Sequence, residues 1–235
     1  MNIALLGYGK MGQIIERIAV ERGHTIVYVK QRDQIRGSLE QADVAIDFSV
    51  PAVAVTNIKD ALTAGVPVVC GTTGWLEQFD EVVDFCKEKE CAFLYGSNFS
   101  LGVNIFFELN DYLAKMMQNF EQYGVSMQEI HHTQKLDAPS GTAITLAEGI
   151  LANTRYESWT LDPQATDKQI YIDAVREDQV PGTHTVRYDS SIDQIEIKHT
   201  AHNREGFALG AVIAAEWIKD KKGIFSMKDV LNLKK

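Results

Sequence analysis

Gly7-Tyr8-Gly9-Lys10-Met11-Gly12 follows directly on the apolar run 3–6 and precedes Ile14, Ile15, Ile18 and Ala19 at helical spacing. Glycines spaced G-x-G-x-x-G between a strand and a helix permit a tight turn and bring helix N-terminal amides up to a pyrophosphate. The chain therefore opens with a candidate dinucleotide loop formed by Gly7, Tyr8, Gly9, Lys10, Met11 and Gly12. A motif of this kind alone can be a plain turn; what gives it weight is the pattern that follows.

Strand signals at 25–29, 44–48, 66–70 and 92–95 alternate with helical patterns at 51–64 and 76–89, the sequence form of βαβ units on a parallel sheet. From residue 102 the grammar changes. A helix to about 118 precedes a strand at 125–132 and a helix near 142–151; runs 169–175, 184–188 and 194–199 then alternate apolar and polar residues. The expected fold is α/β: an N-terminal Rossmann domain over 1–101 completed by 205–235, and an α+β domain over 102–204. The second domain should carry an open mixed, largely antiparallel sheet whose face mediates oligomerisation. A helix at 207–219 and a short one capped by Ser226 close the chain.

A chain of 235 residues with 45% hydrophobic and 23% charged residues can bury a substantial core. Its net charge of -9 opposes general binding to nucleic acid or anionic membrane, so an anionic ligand needs a local cluster of donors. Cys70, Cys86 and Cys91 lack zinc-type spacing and read as reduced, packed thiols. The start runs straight into the glycine loop, and no apolar stretch approaches the ~20 residues of a membrane helix. A cytoplasmic chain is the expectation.

At the end of the second strand, where an acid usually holds an adenosine ribose and an arginine a 2′-phosphate, the chain reads Val29-Lys30-Gln31-Arg32-Asp33. Gln31 is neutral and Arg32, aided by Lys10 or Lys30, offers charged donors. NADPH is favoured, with NADH left open because Asp33 could serve the ribose. Gly71-Thr72-Thr73-Gly74 lies at the carboxyl edge of the sheet, where ligands bind, although a simple turn has the same composition.

The richest segment is Glu129-Ile130-His131-His132-Thr133-Gln134-Lys135-Leu136-Asp137-Ala138-Pro139-Ser140-Gly141-Thr142-Ala143. Neighbours on a strand point to opposite faces, so His131 and His132 form a poor metal pair, and no metal is expected. Ser140, Gly141 and Thr142 can present amides and a hydroxyl to a carboxylate beside the Lys135 ammonium, although a helix cap next to two surface histidines is the plainer alternative.

This segment resembles the signature E-x-H-H-x-x-K-x-D-A-P-S-G-T-A of the dihydrodipicolinate reductase family, with every fixed position matched. The resemblance extends to the glycine loop, to 71–74, to 98–104, to Val180-Pro181-Gly182, to 195–201, to Arg204 and to 207–211. It implies a two-domain, tetrameric, nicotinamide-dependent reductase acting on a small dicarboxylate ring in the diaminopimelate and lysine pathway. By the same resemblance His131 is the proton donor and Lys135 the catalytic lysine. His132, Ser140, Gly141, Thr142 and Arg204 fall at the substrate, and Gly71, Thr72, Thr73, Asn98 and Phe99 at the cofactor. The glycine loop is one residue shorter than in many relatives, and Gln31 replaces a common acid; both bear on cofactor preference. Another small amino-acid dehydrogenase and a non-catalytic dinucleotide sensor are the competing readings, and the intact His-His-Lys segment argues against each.

Overall fold

β-Branched and leucine-rich runs, buried on both faces, form the central strands of the first sheet. In the computed structural model, which describes residues 1–32 and 34–233, these are β1 (Asn2–Leu6), β4 (Val44–Asp47), β5 (Val68–Cys70) and β6 (Ala92–Tyr95). The edges are β2 (Thr25–Gln31) with β3 (Gln34–Gly37), and β12 (Gly223–Phe225). The strand order is β12-β6-β5-β4-β1-β2-β3, parallel except for β3, which returns antiparallel along β2. β3 is absent from the sequence reading because its four residues are all exposed and show no apolar alternation.

Helices α1 (Lys10–Glu21) and α6 (Glu205–Ile218) pack one face of this sheet through Ile15, Ile18, Ala208, Ala211 and Ala215. The other face is covered by α2 (Pro51–Thr63) and α3 (Phe79–Glu88) through Ala54, Ile58, Leu62 and Val82. Two compact units result, Met1–Leu101 with Glu205–Lys235, and Gly102–Arg204.

The second unit contains α4 (Leu101–Met117), β7 (Gly124–His131), α5 (Gly141–Leu151), β8 (Ser158–Thr160), β9 (Gln169–Arg176), β10 (Gly182–Asp189) and β11 (Gln194–Ala201). Its sheet has the order β11-β10-β7-β9-β8. β10 runs antiparallel to β7 and β11, whereas β7–β9 and β8–β9 are parallel. The sheet is thus evenly mixed rather than largely antiparallel: α5 lies in the β7–β9 connection, and a helical crossover is what a parallel pair requires. In the C-terminal turn, α7 (Met227–Val230), the Asp229 carboxylate accepts from the Ser226 amide at 2.8 Å. All three cysteines are buried thiols, and among the described residues no helix is long and apolar enough to cross a membrane.

Candidate active site

Along β7 every second side chain is buried: Val125 and Met127 enter the hydrophobic core, and the same row continues as Glu129 and His131. On β10, Val186 and Tyr188 do likewise, and His184 follows in register opposite Glu129. One sheet face therefore changes from apolar to ionisable at the carboxyl end of β7. Helix α5 is docked on this face by Ala143, Leu146, Ala147 and Ile150, which brings its N-terminus to the polar end.

Ser140 joins the helix to that row. Its amide donates to Glu129 Oε2 at 3.0 Å, its hydroxyl accepts from Ala143 N at 3.2 Å, and the same oxygen lies 3.1 Å from His184 Nε2. Glu129 is fully buried, and Arg176 donates to its Oε1 at 3.1 Å. Arg176 is the register partner of His131 on β9, and it also donates to the carbonyls of Lys135 and Asp137 at 3.2 and 2.6 Å. One guanidinium thereby neutralises a buried carboxylate and fixes the loop that carries Lys135.

His131 Nδ1 stands 3.5 Å from Glu129 Oε2, close enough for charge attraction, yet it has no hydrogen-bond partner among the described residues. Its ring meets that of His184 edge to face at 5.0 Å. Burial pulls the His131 pKa below 6.5, the Glu129 carboxylate opposes that shift, and the Lys135 and Arg176 cations add to it. His184 is pushed down to about 3, chiefly by burial. The Lys135 ammonium is held by both Asp137 oxygens at 2.8 and 2.6 Å, and this keeps the Asp137 carboxyl below its usual range.

His132 follows the end of β7 and faces elsewhere. With Thr133, Gln134, Pro181 and Arg204 it lines a cleft of about 250 Å³ in the same unit. The structure thus brings His131, Ser140 and the Lys135 loop to one polar cluster, and His132 and Arg204 to a neighbouring cleft. Gly141 is exposed at the start of α5. Glu129, Arg176 and His184 were given no role by sequence reasoning. The i, i+2 spacing of Glu129 and His131 on a strand marks a shared face, but Arg176 and His184 enter only through strand pairing.

In the first unit the glycine loop has the geometry its motif requires. Gly7 adopts φ +99°, where a Cβ would come within 2.3 Å of the Phe48 carbonyl oxygen, and a Cβ on Gly12 would approach Gly7 O at 2.4 Å. Gly9 precedes α1 without a capping side chain, so the first-turn amides are not claimed by one. Gly9, Lys10, Met11, Phe48, Gly71 and Thr73 line a cleft of about 370 Å³, which suits a dinucleotide phosphate at a helix N-terminus. Phe99 is buried against Phe48, with ring centroids 5.7 Å apart. Thr72 also borders the cleft, but its hydroxyl donates to Asp47 at 2.5 Å and accepts from the Ser49 amide at 2.8 Å. Asp47 is a buried hub that also takes the Ser49 hydroxyl and the Asn57 amide.

Lys30 is paired with Asp60 at 3.1 Å and so is committed away from a phosphate. Arg32 sits at φ +52° in the turn between β2 and β3, and Arg36 on β3 lies 3.6 Å from Glu16, whose carboxylate also accepts from Tyr8 of the glycine loop. Asp33 lies outside the described residues.

Glu129, His131 and His184 each offer a ligand atom within 4.8 Å of the others, a spacing compatible with a metal ion. Their chemistry opposes one. Both Glu129 oxygens already accept hydrogen bonds, and Lys135 and Arg176 act electrostatically on the same imidazole.

Residues 1–99 match the family model described as "Dihydrodipicolinate reductase, N-terminus", and residues 102–231 match "Dihydrodipicolinate reductase, C-terminus". The 4-hydroxy-tetrahydrodipicolinate reductase of Christiangramia forsetii is 58% identical over 235 residues, covering 99% of this chain and 98% of that one. That of Methanocaldococcus jannaschii is 36% identical over 239 residues, covering 97% and 81%. A solved dipicolinate-bound dihydrodipicolinate reductase from Paenisporosarcina sp. TG-14 shares the fold, with a TM-score of 0.78 at 22% identity over 96% of this chain and 97% of that one. With both family models matched and more than half the residues shared with a curated relative along nearly its whole length, the chain belongs to the dihydrodipicolinate reductase family.

Proposed function

We propose that this chain reduces 4-hydroxy-tetrahydrodipicolinate, or the dihydrodipicolinate formed from it by loss of water, to tetrahydrodipicolinate in the diaminopimelate and lysine pathway. The observation that carries the reading is the cluster at the end of β7, where a buried imidazole, the Lys135 ammonium and the N-terminus of α5 meet.

A bound reduced nicotinamide supplies hydride, which leaves negative charge on the conjugated ring. The chain's task is to hold a dianion and give one proton. Lys135 and the amides of Gly141 and Thr142 are suited to one carboxylate, and Arg204 with His132, in the neighbouring cleft, to the other. His131 is the proton donor: burial weakens its hold on the proton, and a dianionic substrate raises the protonated fraction again by simple charge attraction. No step calls for a metal.

NADPH is the favoured hydride source, with Gly7, Tyr8, Gly9, Lys10, Met11 and Gly12 at the pyrophosphate and Gly71, Thr72, Thr73, Asn98 and Phe99 towards the nicotinamide. Arg32 is the primary candidate for the 2′-phosphate, and Arg36 on the adjoining strand is a second cation that the sequence reading did not weigh. The chain is proposed to be cytoplasmic and to form a homotetramer. Exposed Ile105, Leu109, Tyr112 and Met116 at helical spacing on α4, with Ile192 and Ile195 at the β10–β11 turn, support self-association.

The test supplies the condensation product of pyruvate and aspartate semialdehyde and follows oxidation of NADPH and NADH in separate reactions. Turnover with NADPH is expected, and oxidation of neither dinucleotide removes the proposal. Arg32→Ala is expected to raise KM for NADPH far more than for NADH; equal effects would place the 2′-phosphate elsewhere.

A further inference from the structure

Two imidazoles 5.0 Å apart share one buried carboxylate, and like charges at that distance disfavour double protonation. Something must decide which ring carries the proton. The Ser140 hydroxyl has one hydrogen. Its oxygen accepts from Ala143 N, and His184 Nε2 lies 3.1 Å away, within reach of the hydroxyl hydrogen when His184 carries its own proton on Nδ1.

We propose that His184 is a positioning residue: an imidazole that accepts from Ser140, seats the His131 ring edge-on, and reserves the cluster's proton for His131. This rests on His131 being the proton donor. Further geometry supports it. Glu129 Oε2 is nearer to His131 Nδ1 than to His184 Nε2, at 3.5 against 3.7 Å, and Ser140 N also binds that oxygen. Gly182, at the start of β10, leaves room for the donor ring, since a Cβ there would come within 3.0 Å of His131 Nε2. The Ser140 bond also ties His184 to the N-terminus of α5, so the proton donor and the candidate carboxylate site are held by one chain of contacts.

Charged and titratable groups surround both rings. Glu129 on β7, Arg176 on β9, and Lys135 and Asp137 on the loop act on His131; His131, His199 on β11 and Lys135 act on His184. Lys135 opposes charge on both rings and Arg176 opposes it on His131, where Glu129 and Asp137 favour it; His131, His199 and Lys135 all oppose charge on His184.

In the full-length protein, imidazole nitrogen NMR shifts followed from pH 8 to pH 5 should show His184 neutral throughout, with Nε2 unprotonated, and His131 taking up a proton first as the pH falls. A charged His184 appearing before a charged His131, or an Nε2–H tautomer of His184, overturns the proposal, whatever the enzyme turns over. His184→Phe keeps a ring but removes the acceptor; kcat should fall by roughly 10²-fold with KM for NADPH unchanged, as for a misplaced catalytic group. His184→Gln, whose amide oxygen can accept from Ser140, should recover part of that loss. Wild-type kcat in a folded His184→Phe variant reduces the residue to packing and overturns the proposal. If that variant does not fold, the wild-type titration still decides. Loss of activity in His131→Gln with His184 found neutral separates the two ideas, because the first tests the donor and the second its neighbour.

Discussion

His131 gains its chemistry from position more than from identity. An imidazole on an exposed strand titrates near 6.5; here burial weakens the charged form while Glu129 at 3.5 Å partly restores it. His131→Gln should lower kcat by ~10² to 10⁴-fold, as expected for loss of a general acid, and leave the calorimetric Kd for NADPH unchanged. Wild-type turnover would remove His131 from proton transfer. Asp47 plays a comparable part for the turn at 71–74. It is fully buried, burial holds its carboxyl above the usual range, and Thr72, Ser49, Asn57 and Cys70 all donate to it. Asp47→Asn puts an amide donor where acceptors are needed. The expected cost is about 1–3 kcal/mol of stability, read from the urea midpoint, with a raised KM for the dinucleotide. An unchanged midpoint and KM would mean that the turn holds itself. Glu129 and His131 could be paired by eye because residues two apart on a strand share a face. His184, Arg176 and Asp47 could not, since each acquires its role through a neighbour distant in sequence that only strand register supplies.

At the scale of elements, legibility follows the strength of the apolar pattern. α5 is visible because Ala143, Leu146, Ala147 and Ile150 recur at helical spacing ahead of any knowledge of the sheet they cover. β3 is invisible because none of its residues is buried, and the parallel β7–β9 pairing is hidden because alternation alone does not reveal strand direction. Packing distance is likewise unwritten in the sequence. Gly210 on α6 faces the Phe99 carbonyl so closely that a Cβ would stand 1.7 Å from its oxygen, which lets the alanine-rich helix lie flat on the first sheet. Gly210→Ala must push backbone from backbone and should destabilise by about 1–3 kcal/mol, as overpacking does. Gly141→Ala is the stability control, because a Cβ there meets open space. Thermal unfolding of both variants checks this, and equal Tm values would show that α6 is not held at that distance.

For the whole molecule, the -9 formal charge and the cationic cluster act in opposite senses. The bulk of the surface repels anions, so holding a dicarboxylate calls for a local excess of donors, the part proposed for Lys135 and Arg204. Global stability also depends on proton uptake by buried rings. His184 has an unfolded pKa near 6.5 and a folded one of about 3, so between those values the unfolded chain binds a proton that the folded chain refuses. This contribution is fully present above 6.5 and is lost as the pH falls towards 3. His131 and His199, also lowered by burial, act in the same direction. Asp47, whose carboxyl is raised, acts oppositely: its contribution belongs to low pH and fades as pH rises through its folded value. Comparison with a variant isolates one ring from this sum. Between pH 6.5 and pH 5, unfolding free energy from urea titrations should fall more steeply in the wild type than in His184→Gln, by an extra slope that grows from about 0.7 to about 1.4 kcal/mol per pH unit as the unfolded ring goes from half to nearly full protonation. Parallel slopes would mean that His184 is charged in the folded protein, and the division of labour between the two imidazoles would fail with it.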